Sequence, residues 1–179
     1  MTTPPPTLTL LLLCLSISAA TATDDNLIKD TCAKTQYPKT CVSALSAYPN
    51  GSATDVAGLA SIALSIAADN AAATSTHISK LLQSTSTTAD PAIEQALQDC
   101  SDEYGDAVDQ LEDSLAALDS DAYGDVNAWV AAAMTDSDTC EQAFADAGKV
   151  SVLGDRSGGF KELCSIALSI VSFWGDLVL

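Results

Sequence analysis

The chain is 179 residues long and carries 24 acidic side chains against 7 basic ones, a net charge of −17 at neutral pH. That charge repels nucleic acids and anionic membranes and disfavours tight binding to an acidic polysaccharide. A neutral or basic protein is the compatible partner, although most of the acids need do no more than keep an Ala-rich helical chain in solution.

Residues 1–22 read as a secretory signal peptide. Their apolar run, LTLLLLCLSI over 8–17, is too short to cross a bilayer, and Ala20-Thr21-Ala22 offers small residues where a signal peptidase reads them. The mature domain is then 23–179, about 157 residues, enough for one substantial core. Cys14 leaves with the signal, and Cys32, Cys41, Cys100, Cys140 and Cys164 remain. In a secreted chain these read as two disulfides and one unpaired thiol, with fifteen arrangements open. Cys32 and Cys41 lie close enough in sequence for a local staple.

Residues 25–33 and 39–47 are short helical patterns, and Pro38 between them forbids one continuous helix, so a hairpin over 23–48 is expected. Tyr48-Pro49-Asn50-Gly51 is a turn, and Asn50 opens a glycosylation sequon with Ser52. Ser52 with Asp55 resembles a capping box for the first long helix. Its apolar side is expected to follow Val56, Leu59, Ile62, Ala63, Ile66, Asn70, Ala73, His77 and Leu81. A Ser/Thr loop over 83–89 follows.

The span 90–118 is the spine. Asp90-Pro91 supplies a cap and a residue pre-set for a helical start. Ile93, Leu97, Cys100, Tyr104, Ala107, Val108, Leu111, Leu115 and Leu118 fall within about a third of the helix circumference. Asp102, Asp106, Asp109 and Asp113 form a stripe on the opposite side. Asp119-Ser120-Asp121 ends the pattern, and Val126, Trp129, Val130 and Ala133 mark a third long helix. Thr135-Asp136-Ser137-Asp138 is expected to interrupt or kink it before Cys140, Phe144 and Ala147. After a polar connection over 148–159, a last helix carries Phe160, Leu163, Ala167, Ile170, Val171, Trp174 and Val178 towards the core. No strand-like alternation occurs. The chain is predicted to be all-α, an antiparallel four-helix bundle over 52–179 preceded by the hairpin.

Catalytic signals are lacking. His77 is the only histidine, no nucleophile elbow or phosphate-binding loop is present, and the cysteines are too scattered for a metal set, so no enzyme, metal or cofactor is expected. Cys164, among Leu163, Ile166 and Ala167, reads as a buried small hydrophobe rather than a reactive thiol.

Three strings carry a resemblance: CAKTQYPKTC over 32–41, DCSDEY over 99–104 and DVNAWVAAAMTDSDTC over 125–140. In this order and spacing the chain resembles the plant pectin methylesterase and invertase inhibitors across its mature length. The resemblance implies Cys32–Cys41 and Cys100–Cys140 bridges, with Cys164 free. It also implies a secreted protein of the apoplast, a monomer that binds one-to-one over the substrate cleft of a carbohydrate-active enzyme. The contact positions it carries over are Asp102, Asp106, Asp109, Asn127 and Thr139. Invertase inhibitors carry a Pro-Lys-Phe string before the third helix, and Tyr123-Gly124-Asp125 stands there instead. Pectin methylesterase is therefore the expected target, and acid invertase the alternative.

Overall fold

A computed structural model describes residues 25–49, 53–84 and 89–178. The expected signal peptide over 1–22, Asn50, Ser52 and the side chain of Val178 lie outside the described residues. The described residues form six helices: α1 (25–32), α2 (Pro38–Ala47), α3 (Val56–Leu82), α4 (Pro91–Asp119), α5 (Tyr123–Asp146) and α6 (Arg156–Val178). Consecutive long helices pack on one another and α6 closes back on α3, which makes the all-α four-helix bundle. α2 leans on α3 and α6. Lys34, in the hairpin loop, lies 3.4 Å from the centre of the Phe173 ring, and the Thr40 hydroxyl donates to Glu162.

The termini follow local chemistry. α3 is capped by Asp55 itself, whose carboxylate accepts the Gly58 N–H at 2.9 Å. Asp90 does the same for α4 through Ala92, with Pro91 in the first turn. α4 and α5 both end in a left-handed residue, Asp121 (φ 56°) and Gly148 (φ 66°). The N–H groups of Ala122 and Lys149, one residue further on, reach back to the carbonyls of Ala117 and Phe144. Asp121 occupies a position that usually takes glycine, and it accepts the Tyr123 hydroxyl at 2.8 Å.

The buried side of α4 is the one its periodicity marks, with Leu97, Cys100, Tyr104, Ala107 and Leu111 fully covered. α3 departs from expectation. Its buried residues are Leu59, Ala60, Ala63, Leu64, Ala67, Ala71, Thr74 and Ile78, a stripe turned by nearly one residue from the one anticipated. Ile62, Ile66, Asn70 and His77 are left half-buried on its flank. Alanines let the neighbouring backbones approach closely, so they take the centre and the bulkier Ile side chains take the edges. α3 is also, among the described helices, the one long and apolar enough to cross a membrane by length and composition. Here it packs against α2, α4 and α6.

The expected break in α5 does not occur. The helix runs unbroken through Thr135–Asp138 because each capping-type side chain has another partner. Thr135 and Thr139 bond back to the carbonyls of Ala131 and Thr135. Ser137 points inward to the Tyr104 hydroxyl at 3.1 Å, and Asp138 pairs with Lys161. Of the residues that mark this helix in the sequence, Val126, Val130 and Ala133 are buried and Trp129 is 40% exposed. The interior is bound by one polar knot. The Tyr104 hydroxyl, on a fully buried ring packed 5.7 Å from Phe160, also bonds Ser157, which donates to Glu141.

Candidate functional site

The α4–α5 pair carries the charge. Sixteen of the 24 acids and none of the 7 bases lie between residues 81 and 148, so the rest of the chain is nearly neutral. On α4, Asp102, Asp106, Asp109 and Asp113 are all exposed. Where α4 meets α5, Asp99, Asp102 and Glu103 face Thr139, Gln142 and Asp146 across an open groove of about 370 Å³. The Cys100–Cys140 bridge, next in sequence to Asp99 and Thr139, fixes the spacing of its two walls. The Cys32–Cys41 bridge closes the hairpin, away from this face.

Burial, and then the neighbouring carboxylates, raise the proton affinity of Glu103 and Asp136. Glu103 is pushed above the usual range by partial burial and then by Asp136, Asp106, Asp102 and Asp99. Asp136 is pushed up by burial and by Asp106 against a hydrogen bond from Gln110. Oδ2 of Asp136 and Oε1 of Gln110 are buried atoms with no partner among the described residues. The groove itself offers the carboxylates of Asp99, Asp102, Glu103 and Asp146 to an incoming cationic or hydrogen-bonding group.

Nothing at this site pairs a nucleophile with a base. His77 stands on α3, with its proton affinity lowered by burial and by Arg156 and Lys80. Among the described residues no group of three potential ligands is placed to hold a metal ion. Cys164 is buried and its thiol is pushed up to about 12 by loss of water.

The structure brings Asp102 and Thr139 together in the groove. Asp106 borders it through Glu103 and Asp136. Asp109 is exposed on the outer side of α4 and does not line the groove. Asn127 is exposed but stands roughly 18 Å from Thr139 along α5 and about 120° round it. It shares the flank of Asp138, whose partner Lys161 is on α6. Asp99, Glu103, Gln142 and Asp146 escaped the sequence reading, although DCSDEY and the spacing Thr139–Gln142–Asp146 contain them. Asp136, within the string expected to interrupt the helix, faces Asp106 and Gln110 instead.

Residues 26–170 match the family described as "Plant invertase/pectin methylesterase inhibitor". The chain belongs to this family. Among its relatives, a pectinesterase inhibitor from Actinidia deliciosa is 31% identical over 87% of this chain and 83% of its own length. A cell wall / vacuolar inhibitor of fructosidase from Arabidopsis thaliana is also 31% identical, over 87% of each chain. A solved structure, a mutant form of a pectin methylesterase inhibitor from Arabidopsis, superposes with a TM-score of 0.66 at 27% identity. That match covers 79% of this chain and 92% of the other. The family is one of protein inhibitors, and membership makes this chain an inhibitor rather than a catalyst.

Proposed function

We propose that the chain is a secreted inhibitor of pectin methylesterase that docks its α4–α5 face over the enzyme's substrate cleft, one molecule to one. The observation that carries this reading is the segregation of charge. The span 81–148, which builds α4 and α5, holds sixteen acids and no base and so has the sign of a polyanionic substrate. It complements basic groups at a cleft that accepts such a substrate, and it speeds encounter. Asp102, Asp106 and Thr139 at the groove are the principal contacts, with Asp109 beside them and Asn127 at a separate flank. A helix pair tied by the Cys100–Cys140 disulfide loses little entropy on docking. The apolar run over 8–17 supports export to the cell wall.

Relatives include inhibitors named for pectinesterase and for invertase, so the choice rests on this chain's own residues. The α4–α5 turn presents Tyr123-Gly124-Asp125, with Tyr123 held by Asp121 and Trp174. No basic or protruding apolar group is offered there for a sucrose-cleaving site. The test is a paired assay of methanol release from pectin and of sucrose hydrolysis by acid invertase. Inhibition of the first alone is expected. Inhibition of invertase alone would reverse the assignment.

A further inference from the structure

The chain has two tryptophans, and they are used in opposite ways. Trp174 is half-buried and donates its indole N–H to the Tyr123 hydroxyl at 2.8 Å. Trp129 is 40% exposed, and its N–H has no partner among the described residues. Asn127 and Ala128 beside it are exposed too. The antiparallel register set by the Cys100–Cys140 bridge and the Tyr104–Ser137 bond places Trp129 level with Glu112 and Asp113. It stands two helical turns, roughly 10 Å, before Asp136 and at nearly the same angle around α5. A large aromatic group is thus displayed on the acidic face itself. The other exposed large apolar residues, Val150 and Val152, lie in the α5–α6 loop at the opposite end of α5.

We infer that Trp129 is the apolar anchor of the α4–α5 docking face, seated on binding in an apolar pocket with basic groups around its rim on the partner protein. The inference rests on the inhibitor reading above and adds a division of labour to it. Exposed carboxylates steer and orient the encounter but are heavily solvated and contribute modestly to holding it. A tryptophan at the centre of a desolvated contact slows dissociation, and a ring of charges around it excludes water. The stripe residue Asp113, left without a role by the groove, becomes part of that ring. α2 packs on α3 and α6, so it does not compete for this surface.

The test compares the mature chain with Trp129→Ala, Trp129→Phe and Asp102→Lys, reading melting temperature and the association and dissociation rates on the inhibited enzyme. Trp129→Ala is expected to dissociate about thirty-fold faster or more, with association and melting little changed. Trp129→Phe should recover much of the loss. Asp102→Lys should instead slow association. Should Trp129→Ala melt early, Trp129→Gln, which suits an exposed helical position, gives the same comparison. A wild-type dissociation rate in a folded Trp129 variant would overturn the anchor while leaving the inhibitor reading intact. Failure of the wild-type chain to bind pectin methylesterase and acid invertase alike would overturn both.

Discussion

Replacing Asp106 by Asn should strengthen the fold and weaken the complex. Asp106 is exposed on α4, one helical turn from Asp102, Glu103 and Asp109. Each like-charge neighbour at that spacing destabilises a helix by about 0.2–0.5 kcal/mol, so neutralising Asp106 relieves about 1 kcal/mol at low salt. Its repulsion of Asp136 across the α4–α5 boundary falls as well. Asn is nearly isosteric and close to Asp in helix propensity, so little else changes. For a domain of this size the melting temperature should rise by about 2–4 °C. In the complex the same substitution removes one charged acceptor, worth about 1.5–3 kcal/mol when it pairs with a cation, or roughly tenfold or more in inhibition constant. Thermal melts and inhibition assays at low salt read the two effects, and both should shrink at high salt. A variant that melts higher yet inhibits as well as wild type would show Asp106 to be solvated surface. A lower melting temperature would refute the repulsion argument.

Stability should also rise on mild acidification. Glu103 and Asp136 have folded-state proton affinities above their ordinary values of 4.5 and 3.8, so the folded chain binds more protons than the unfolded one. Their penalty is absent below those ordinary values and develops as pH rises through the raised ones. Melting temperature should therefore climb as pH falls through the raised values towards 4.5 and 3.8, and less so in Glu103→Gln with Asp136→Asn. An unchanged profile in that variant would remove these two groups as the cause. Asp90, held low by Lys149, acts oppositely, its contribution being lost only below the usual carboxylate range. Converting Cys100 and Cys140 to Ala opens a loop spanning a sequence separation of 40 and should lower stability by about 4 kcal/mol, roughly 8–16 °C in global melting. The same change at Cys32 and Cys41 should loosen the hairpin while the bundle melts nearly as before, checked by hydrogen exchange. Cys164 should resist thiol reagents in the native chain and react at once in denaturant.

α4 was legible because its two sides differ sharply, large apolar residues on one and aspartates on the other. α3 was not, because a helix built from Ala, Ser and a few Ile offers little contrast. Which alanines become central is decided by how closely α4 and α6 approach, and that is a tertiary fact. The break expected at Thr135–Asp138 failed for a related reason. Those side chains cap a helix when they have nothing better, and here Tyr104 and Lys161 are better. Asp136 was lost to the site by the same misreading, since its neighbours Asp106 and Gln110 belong to another helix. Trp129 marks the third helix in the sequence, but its 40% exposure depends on how α4 and α5 pack. The disulfide pairing came from resemblance, because spacing left fifteen arrangements open.

The distribution of crosslinks follows the distribution of charge. α4 and α5 both carry excess negative charge and lie side by side, so their packing is opposed by mutual repulsion along most of their length. The long-range disulfide joins these two helices, and so does the buried Tyr104–Ser137 bond. Glu141 of α5, held by Ser151 and Ser157, secures the start of α6 against the same unit. α3 and α6, which carry few charges, are held together by apolar packing. A bundle selected for stability alone would spread its acids over four helices and would need no such fastening. Concentrating them on one pair, and tying that pair together from beneath, is economical when that face must stay rigid and meet a partner of opposite sign.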